Sequence, residues 1–212
     1  EINPMLGKRG VRLGILLPEL YKMQVKAIIK ASISVYGKNQ KEFPPEIMLP
    51  MVSSFKEVNL LKKLIDDVVA EITKEFNFPI NYKLGVMVET PRAALKAGEL
   101  AVISSFLSFG TNDLTQMTYG LSRDDSGTFM RDYLEKGIFP VDPFRSLDLD
   151  GVGELLKIAS KKSRAANPSI KIGICGEHGG DPESIDFCKK IGLDFVSCSP
   201  FRVPIARIAA AQ

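Results

Sequence analysis

Two carboxylates and a thiol stand where short apolar segments of the sequence end. Glu89 and Cys175 are the last residues of segments 85–89 and 171–175, and Asp113 lies four residues past a third apolar segment. Paired carboxylates are typical ligands of Mg²⁺, which completes its octahedron with waters and substrate phosphate oxygens. A thiol with an ordinary pKa of about 8.5 can donate a proton near neutral pH. These residue types indicate an enzyme.

Candidate anion-binding groups accompany the carboxylates. The string Gly110-Thr111-Asn112-Asp113 could present backbone N–H groups to an anion, as the N-terminus of a helix does. Arg9 and Arg123 lie in loops that contain glycine or serine, where a guanidinium can bind a carboxylate or a phosphate.

Each of these residues also has a purely structural interpretation. Glu89 and Asp113 could cap the helices that follow them, and exposed arginines usually bind nothing. Cys175 could be a small buried residue, which is the commoner fate of a free cysteine. His178 is the only imidazole in the chain and lies in a glycine-rich turn. We expect it to be structural or to support the site, rather than to act as a nucleophile.

The order of the predicted elements would place these side chains at one edge of a parallel sheet. Strands alternating with helices imply right-handed βαβ units, whose sites lie at the C-terminal ends of the strands. A doubly wound sheet would accommodate the strand count, whereas a (β/α)8 barrel would lack two or three strands at its N-terminal side. The predicted strands are 46–52, 84–89, 105–109, 171–175 and 194–199, with a possible sixth at 12–16. The predicted helices are 18–36, 55–76, 151–166 and 182–191, with another after Thr90-Pro91 and a long loop over 120–148.

Composition excludes several functional classes. The 212 residues are 45% hydrophobic and carry 28 basic and 25 acidic side chains, a net charge of +3 that is too weak to indicate a nucleic-acid surface. No apolar run is long enough to predict a membrane span. Three cysteines without a C-x-x-C pair fit a reducing compartment, so we expect a cytoplasmic location.

Longer strings of the sequence carry a family resemblance. They are Asn3-Pro-Met-Leu-Gly-Lys-Arg-Gly-Val-Arg-Leu-Gly14, Gly110-Thr-Asn-Asp-Leu-Thr-Gln-Met-Thr-Tyr-Gly120 and Gly173-Ile-Cys-Gly-Glu-His-Gly-Gly-Asp-Pro182. Together they resemble the C-terminal, phosphoenolpyruvate-binding domain of the pyruvate, phosphate dikinase family. Phosphoenolpyruvate synthase and enzyme I of the sugar phosphotransferase system share the Asn-Asp and Cys signatures, but the sequence around those signatures is less similar.

The resemblance implies an α/β fold, a (β/α)8 barrel incomplete at its N-terminal side, with residues 1–212 as a single domain. It implies Mg²⁺-dependent interconversion of phosphoenolpyruvate and pyruvate, with a phosphohistidine on another domain as the phosphoryl partner. The overall reaction would convert ATP, pyruvate and phosphate into AMP, phosphoenolpyruvate and diphosphate. A homodimer formed through the barrel is expected, in the cytoplasm or in an organelle of a eukaryote.

The resemblance also implies residue roles. Glu89 and Asp113 would bind Mg²⁺, and Asn112 with the backbone of Gly110 and Thr111 would hold the substrate. Arg9 would neutralise the transferring phosphoryl group, Arg123 would be a second phosphate ligand, and Cys175 would protonate the enolate carbon.

Nothing in the chain matches the family's phosphohistidine motif, so the chain alone is not expected to complete the reaction. Phosphoenolpyruvate synthase and enzyme I stay open as alternatives within the superfamily. An alternative of another class is an inactive interaction or dimerisation module, because unpaired strand edges favour association.

Overall fold

Five parallel strands form one sheet in the computed structural model, which describes residues 3–212; the first two residues of the predicted domain 1–212 lie outside it. The strands are β1 (Glu46–Leu49), β2 (Lys83–Val88), β3 (Phe106–Gly110), β4 (Lys171–Cys175) and β5 (Phe195–Val196). The helices are α1 (Val11–Leu16), α2 (Pro18–Tyr36), α3 (Phe55–Phe76), α4 (Pro91–Leu95), α5 (Ala97–Ile103), α6 (Thr111–Tyr119), α7 (Met130–Glu135), α8 (Val152–Ala166), α9 (Pro182–Lys190) and α10 (Val203–Ala211).

The strands pair strictly in chain order, β1 to β5. A doubly wound sheet reverses its strand order once, and this sheet does not. Because parallel crossovers are right-handed, a constant direction of winding places the crossover helices on the same face of the sheet. Helix α3 accordingly packs between α2 and α5, and α5 packs against α8. The predicted α/β class is confirmed, and this strand order is that of part of a (β/α)8 barrel.

The helix-covered face of the sheet is apolar, as the alternation in the sequence predicts. Its side chains form the centre of the hydrophobic core: Val86, Val88, Leu107, Phe109, Ile172 and Ile174, each at most 1% exposed. Successive strand residues point to opposite faces, so the residues between them point away from the helices. The polar and small side chains of the strands therefore share the inner face.

Two glycines on the inner face lie under aromatic rings of the neighbouring strand. A Cβ atom at Gly85 would come within 2.1 Å of the Phe106 ring, and one at Gly173 within 2.2 Å of the Phe195 ring. Each phenylalanine is the direct cross-strand partner of its glycine. The rings occupy the space that a side chain at the glycine would need.

Helix α3 illustrates how local sequence determines an element boundary. Ser54 and Glu57 form a capping box at its start, and Asn77 ends it in the left-handed conformation with φ 57°. Such caps satisfy the backbone groups that have no partner inside the helix. The predicted span 55–76 is confirmed.

Four features differ from the sequence-based expectation. Strand β1 ends at Leu49 instead of continuing to residue 52, because Pro50 has no backbone N–H for the ladder and Met51 has a φ of 57°. Residues 12–16, predicted as a possible strand, belong to helix α1; an apolar run this short fits either element, and Gly10 with φ 56° starts the helix. Strand β5 covers only 195–196 of the predicted 194–199, because a 3₁₀ turn begins at Pro200 and the chain leaves the sheet. Helix α10 was not predicted at all.

The long loop after α6 contains a 3₁₀ turn at Ser126–Thr128 and the short helix α7. Within residues 3–212, no helix combines the length and the apolar character needed to cross a membrane.

Candidate active site

The predicted site residues gather at the C-terminal ends of β2, β3 and β4. Glu89 directly follows β2, Gly110 ends β3, and Cys175 ends β4. Helix α6 starts immediately after Gly110, so Asp113 lies in its first turn. In the sheet register Gly110 pairs with Cys175. Gly110 therefore lies between the carboxylate of Glu89 and the thiol.

The Glu89 carboxylate is buried beside that of Asp113. Glu89 is 7% exposed, and its Oε1 accepts a hydrogen bond of 2.6 Å from the backbone N–H of Met51. Burial raises the pKa of Glu89 from 4.5 to about 7; the Met51 hydrogen bond opposes this shift and the charge of Asp113 adds to it. Glu89 is not a helix cap, because Thr90 caps α4 through its hydroxyl.

Gly110 is required by the position of that carboxylate. A Cβ atom there would lie 2.6 Å from Oε2 of Glu89 and 2.8 Å from its Cβ. A larger residue would therefore displace Glu89 from the end of the sheet.

Arg9 lies in the loop before α1 and contacts the carboxylate pair of Glu89 and Asp113 through Asp113. Its Nη2 donates to Oδ1 of Asp113 and, at 3.2 Å, to Sδ of Met51. Its Nε is buried without a hydrogen-bond partner among residues 3–212, and so is Oδ1 of Asn112. A donor and an acceptor left unpaired in this way are suited to bind a polar ligand, because burial without a partner is costly.

The Cys175 thiol lies in a half-buried position between backbone and sulfur atoms. Its Sγ is 3.4 Å from the carbonyl oxygen of Phe109 and 3.5 Å from Sδ of Met87. Burial raises the pKa of Cys175, a hydrogen bond with Ser108 offsets part of the shift, and the charge of Glu89 adds to it. The thiol is therefore protonated at neutral pH and is equipped to act as an acid.

His178 is fully buried and joins three segments of the site. Its Nδ1 lies 2.6 Å from Oγ1 of Thr111, and its Nε2 lies 2.9 Å from the carbonyl oxygen of Pro143. A carbonyl only accepts, so Nε2 carries the proton and Nδ1 accepts from the Thr111 hydroxyl. Burial lowers the pKa of His178, which keeps the ring neutral. Both ring nitrogens thus have protein partners, which agrees with the expectation of a structural histidine.

Replacing His178 with leucine is expected to lower the free energy of unfolding by about 2 kcal/mol, because the buried carbonyl of Pro143 loses its donor and the Thr111 hydroxyl keeps only the carbonyl oxygen of Cys175, at 3.3 Å. Urea unfolding followed by circular dichroism measures the change. His178→Gln keeps one donor and should lose less. Equal stability of His178→Leu and the parent protein would contradict this account.

Arg123 is separated from the carboxylate pair. Its Nη2 faces Oε1 of Glu177 at 3.9 Å, and Arg202 approaches the other oxygen of Glu177 at 3.6 Å. The backbone N–H of Arg123 donates to Oε1 of Gln116, whose Nε2 donates to Asp113 at 3.3 Å. Arg123 thus lies at the rim of the site, beside the loop that follows Cys175.

Sequence reasoning missed Met51, Ser108 and Gln116. Met51 lies within the predicted strand 46–52, where its residue type indicates ordinary core, and its backbone φ of 57° cannot be inferred from residue type. Ser108 is on the inner face by alternation, which was an available signal. Gln116 is three residues after Asp113 on α6, and this spacing places the two on one face of the helix.

Comparison with known proteins gives one consistent result. The whole chain, residues 1–212, matches the family described as PEP-utilising enzyme, PEP-binding domain. The chain is 56% identical over 212 residues to pyruvate, phosphate dikinase, chloroplastic, of Mesembryanthemum crystallinum, and covers 22% of that protein. It is 51% identical over 212 residues to pyruvate, phosphate dikinase of Clostridium symbiosum, and covers 24% of it. Both alignments include 100% of this chain.

A solved structure agrees on the fold alone. A citrate lyase from Burkholderia xenovorans matches with a TM-score of 0.53 at 15% identity, over 78% of this chain and 48% of that one. The chain spans less than a quarter of the length of the two dikinases, so the match concerns one domain of a much longer protein. The chain belongs to the PEP-utilising enzymes, whose PEP-binding domain it matches from end to end.

Proposed function

We propose that this chain is the substrate domain of a pyruvate, phosphate dikinase, which interconverts phosphoenolpyruvate and pyruvate. The observation that carries the proposal is the placement of a protonated thiol, Cys175, beside the carboxylate pair of Glu89 and Asp113, with Gly110 between them. The dikinase names of relatives at 51% and 56% identity support this reaction over those of phosphoenolpyruvate synthase and enzyme I.

The residues divide the chemistry between the two ends of the substrate. The Arg9 guanidinium would offset the charge of the phosphoryl group, with its Nε–H, unpaired in the described part of the chain, as a donor to a substrate oxygen, and the side-chain N–H groups of Asn112 would donate to another. The phosphoryl group leaves for a histidine nitrogen of another domain, and the electron pair of the broken P–O bond stays on the enolate. Cys175 then donates its proton to the enolate carbon, which gives the methyl group of pyruvate.

The reverse direction uses the same groups. The Cys175 thiolate would remove a methyl proton from pyruvate, and its raised pKa makes it a stronger base than an ordinary cysteine thiolate. The enolate oxygen formed in this step then attacks the phosphorus of the phosphohistidine, and the histidine nitrogen leaves.

The carboxylate pair fits Mg²⁺. Glu89 and Asp113 offer hard oxygen ligands, and Mg²⁺ is commonly held by one or two carboxylates with waters and substrate oxygens. No group of three or more acidic, cysteine or histidine side chains suited to a metal occurs in the part of the chain that the structure describes. When bound, Mg²⁺ supplies positive charge that stabilises the enolate.

The proposal extends to the domain boundaries, the partner domain, the oligomeric state and the location of the protein. We propose residues 1–212 as one domain, a phosphohistidine-bearing domain as its partner, and a homodimer formed through the barrel. Phe201 and Ile208, 93% and 64% exposed, offer apolar surface for a second copy. The cytoplasm or an organelle is the proposed location; the name of the Mesembryanthemum relative includes the word chloroplastic.

Exchange of the pyruvate methyl protons with D₂O, followed by NMR, tests the reaction. We expect the full-length protein that the gene encodes to exchange them with Mg²⁺ and to stop when EDTA is added. Diphosphate formed from ATP, phosphate and pyruvate would distinguish the dikinase from a synthase. Absence of exchange at saturating pyruvate and Mg²⁺ would contradict the proposal and favour a non-catalytic interaction module.

A further inference from the structure

Met51 has a backbone conformation that its residue type rarely adopts. It follows β1 with φ 57° and is 2% exposed. The other non-glycine residue with positive φ in the described range is Asn77, which ends a helix, where asparagine is tolerated. A bulky residue in the left-handed region is an outlier that persists only when its surroundings hold it there.

The left-handed conformation lets Met51 contact two site residues at once. Its backbone N–H donates to Oε1 of Glu89 at 2.6 Å, and its Sδ accepts from Nη2 of Arg9 at 3.2 Å. The main chain therefore holds the carboxylate, while the side chain holds the guanidinium.

The loop that carries Arg9 also rests on this turn. The N–H of Val11 donates to the carbonyl of Pro50 at 2.9 Å. Gly10 lies so close that a Cβ atom there would be 2.8 Å from the Cβ of Met51. These contacts fix the distance between the base of the Arg9 side chain and Met51, so the thioether, together with Asp113, determines where the guanidinium lies.

A thioether suits this purpose because it is a weak and uncharged acceptor. It orients the guanidinium but leaves its positive charge available to a ligand. Asp113 also contacts Arg9, but a cation held by that carboxylate would weaken the ion pair. The contact with Met51 would persist.

We propose that Met51 is a positioning residue that holds the guanidinium of Arg9 at the phosphoryl end of the substrate, in a fixed relation to Glu89. The inference rests on the proposed function. It assigns Met51 no contact with the substrate.

Met51→Leu tests the proposal, because it keeps the apolar bulk and the backbone N–H but removes the sulfur. Dissociation constants are measured by calorimetry on the full-length protein with saturating Mg²⁺. We expect binding of phosphoenolpyruvate to weaken about tenfold and binding of pyruvate, which lacks the phosphoryl group, to change less than about twofold. A general structural defect would weaken both.

A double-mutant cycle with Arg9→Ala sharpens the test. If Met51 acts through Arg9, Met51→Leu should have no further effect once the guanidinium is gone. Met51→Gly removes the backbone outlier and should show the same selective loss for phosphoenolpyruvate. Met130→Leu makes the same chemical change at another buried methionine, in α7, and should leave both constants unchanged.

The outcomes separate the two proposals. A parent protein that binds no phosphoenolpyruvate would overturn the proposed function. A parent protein that binds it, with Met51→Leu and Met51→Gly weakening both ligands equally or neither, would overturn the role of Met51 alone. If Met51→Leu weakened phosphoenolpyruvate binding equally in the parent protein and in Arg9→Ala, the role of Met51 would likewise be overturned.

Discussion

Cys175→Ala is expected to slow exchange of the pyruvate methyl protons by about 10²–10⁴-fold, the range for loss of a general acid or base. Alanine removes the protonated thiol but leaves the carboxylate pair and Arg9 in place. Binding of pyruvate should therefore change little, and the loss should appear in the exchange rate. NMR exchange in D₂O and calorimetric binding measure the two quantities on the same sample.

Cys198→Ala is the matched control. Cys198 is a second free cysteine, partly buried, and lies two residues beyond the end of β5. Its removal should leave exchange within about twofold of the parent rate, as expected for a thiol without a chemical role. Normal exchange in Cys175→Ala would rule out the thiol as the proton donor.

Glu89→Gln is expected to act in opposite directions on activity and stability. It removes one of the two proposed Mg²⁺ ligands, so exchange should fall by about 10³-fold, equivalent to several kcal/mol of charge stabilisation. At pH 8 without metal, the same change should raise the free energy of unfolding by up to about 3 kcal/mol. The gain arises because an uncharged amide replaces a buried charge beside Asp113.

The pH dependence follows from the raised pKa of Glu89. At a pH below the ordinary pKa of 4.5, the Glu89 carboxyl is protonated in both the folded and the unfolded chain, so folding buries no charge at this position. Between 4.5 and about 7 only the unfolded chain ionises, so the metal-free parent loses stability as the pH rises. At a higher pH Glu89 is ionised in both states, and the free-energy cost of burying its charge no longer changes with pH. The advantage of Glu89→Gln should therefore grow through this range and level off.

Glu99→Gln provides the contrast. Glu99 is exposed, and its pKa is lowered by its hydrogen bond with Lys96. Its replacement should give no gain at pH 8. Urea unfolding of the three proteins at several pH values measures the differences. A Glu89→Gln protein that is no more stable than the parent at pH 8 would show that the carboxylate carries no burial penalty.

Local sequence patterns were sufficient to predict most of the helices and strands, and to identify the candidate site residues at the ends of the strands. The capping residue Ser54 and the apolar stripe after it predict α3, and the alternation at 85–89 and 171–175 places Glu89 and Cys175 on the inner face. Helix α1 was missed because six residues are too few for periodicity to separate helix from strand.

Contacts between distant segments account for what the sequence could not predict. Met51 is separated from Glu89 by 38 residues and from Arg9 by 42, and no local pattern records those contacts. The partner of His178 at Thr111 is 67 residues away. The contacts of such residues form only when folding brings segments that are distant in the sequence together.

The Phe106 ring over Gly85 and the Phe195 ring over Gly173 fix the register between neighbouring strands and so the position of the active-site residues. Because each ring fills the space above its partner glycine, a slip of one residue between strands would turn the ring into the helix layer and leave the glycine uncovered. Glu89 lies four residues beyond Gly85, and Gly110 lies four residues beyond Phe106. The Phe106 ring at the start of β3 thus sets the alignment of a carboxylate and a glycine at the other end of β2 and β3, so a change at Phe106 would affect the chemistry two pleat repeats away.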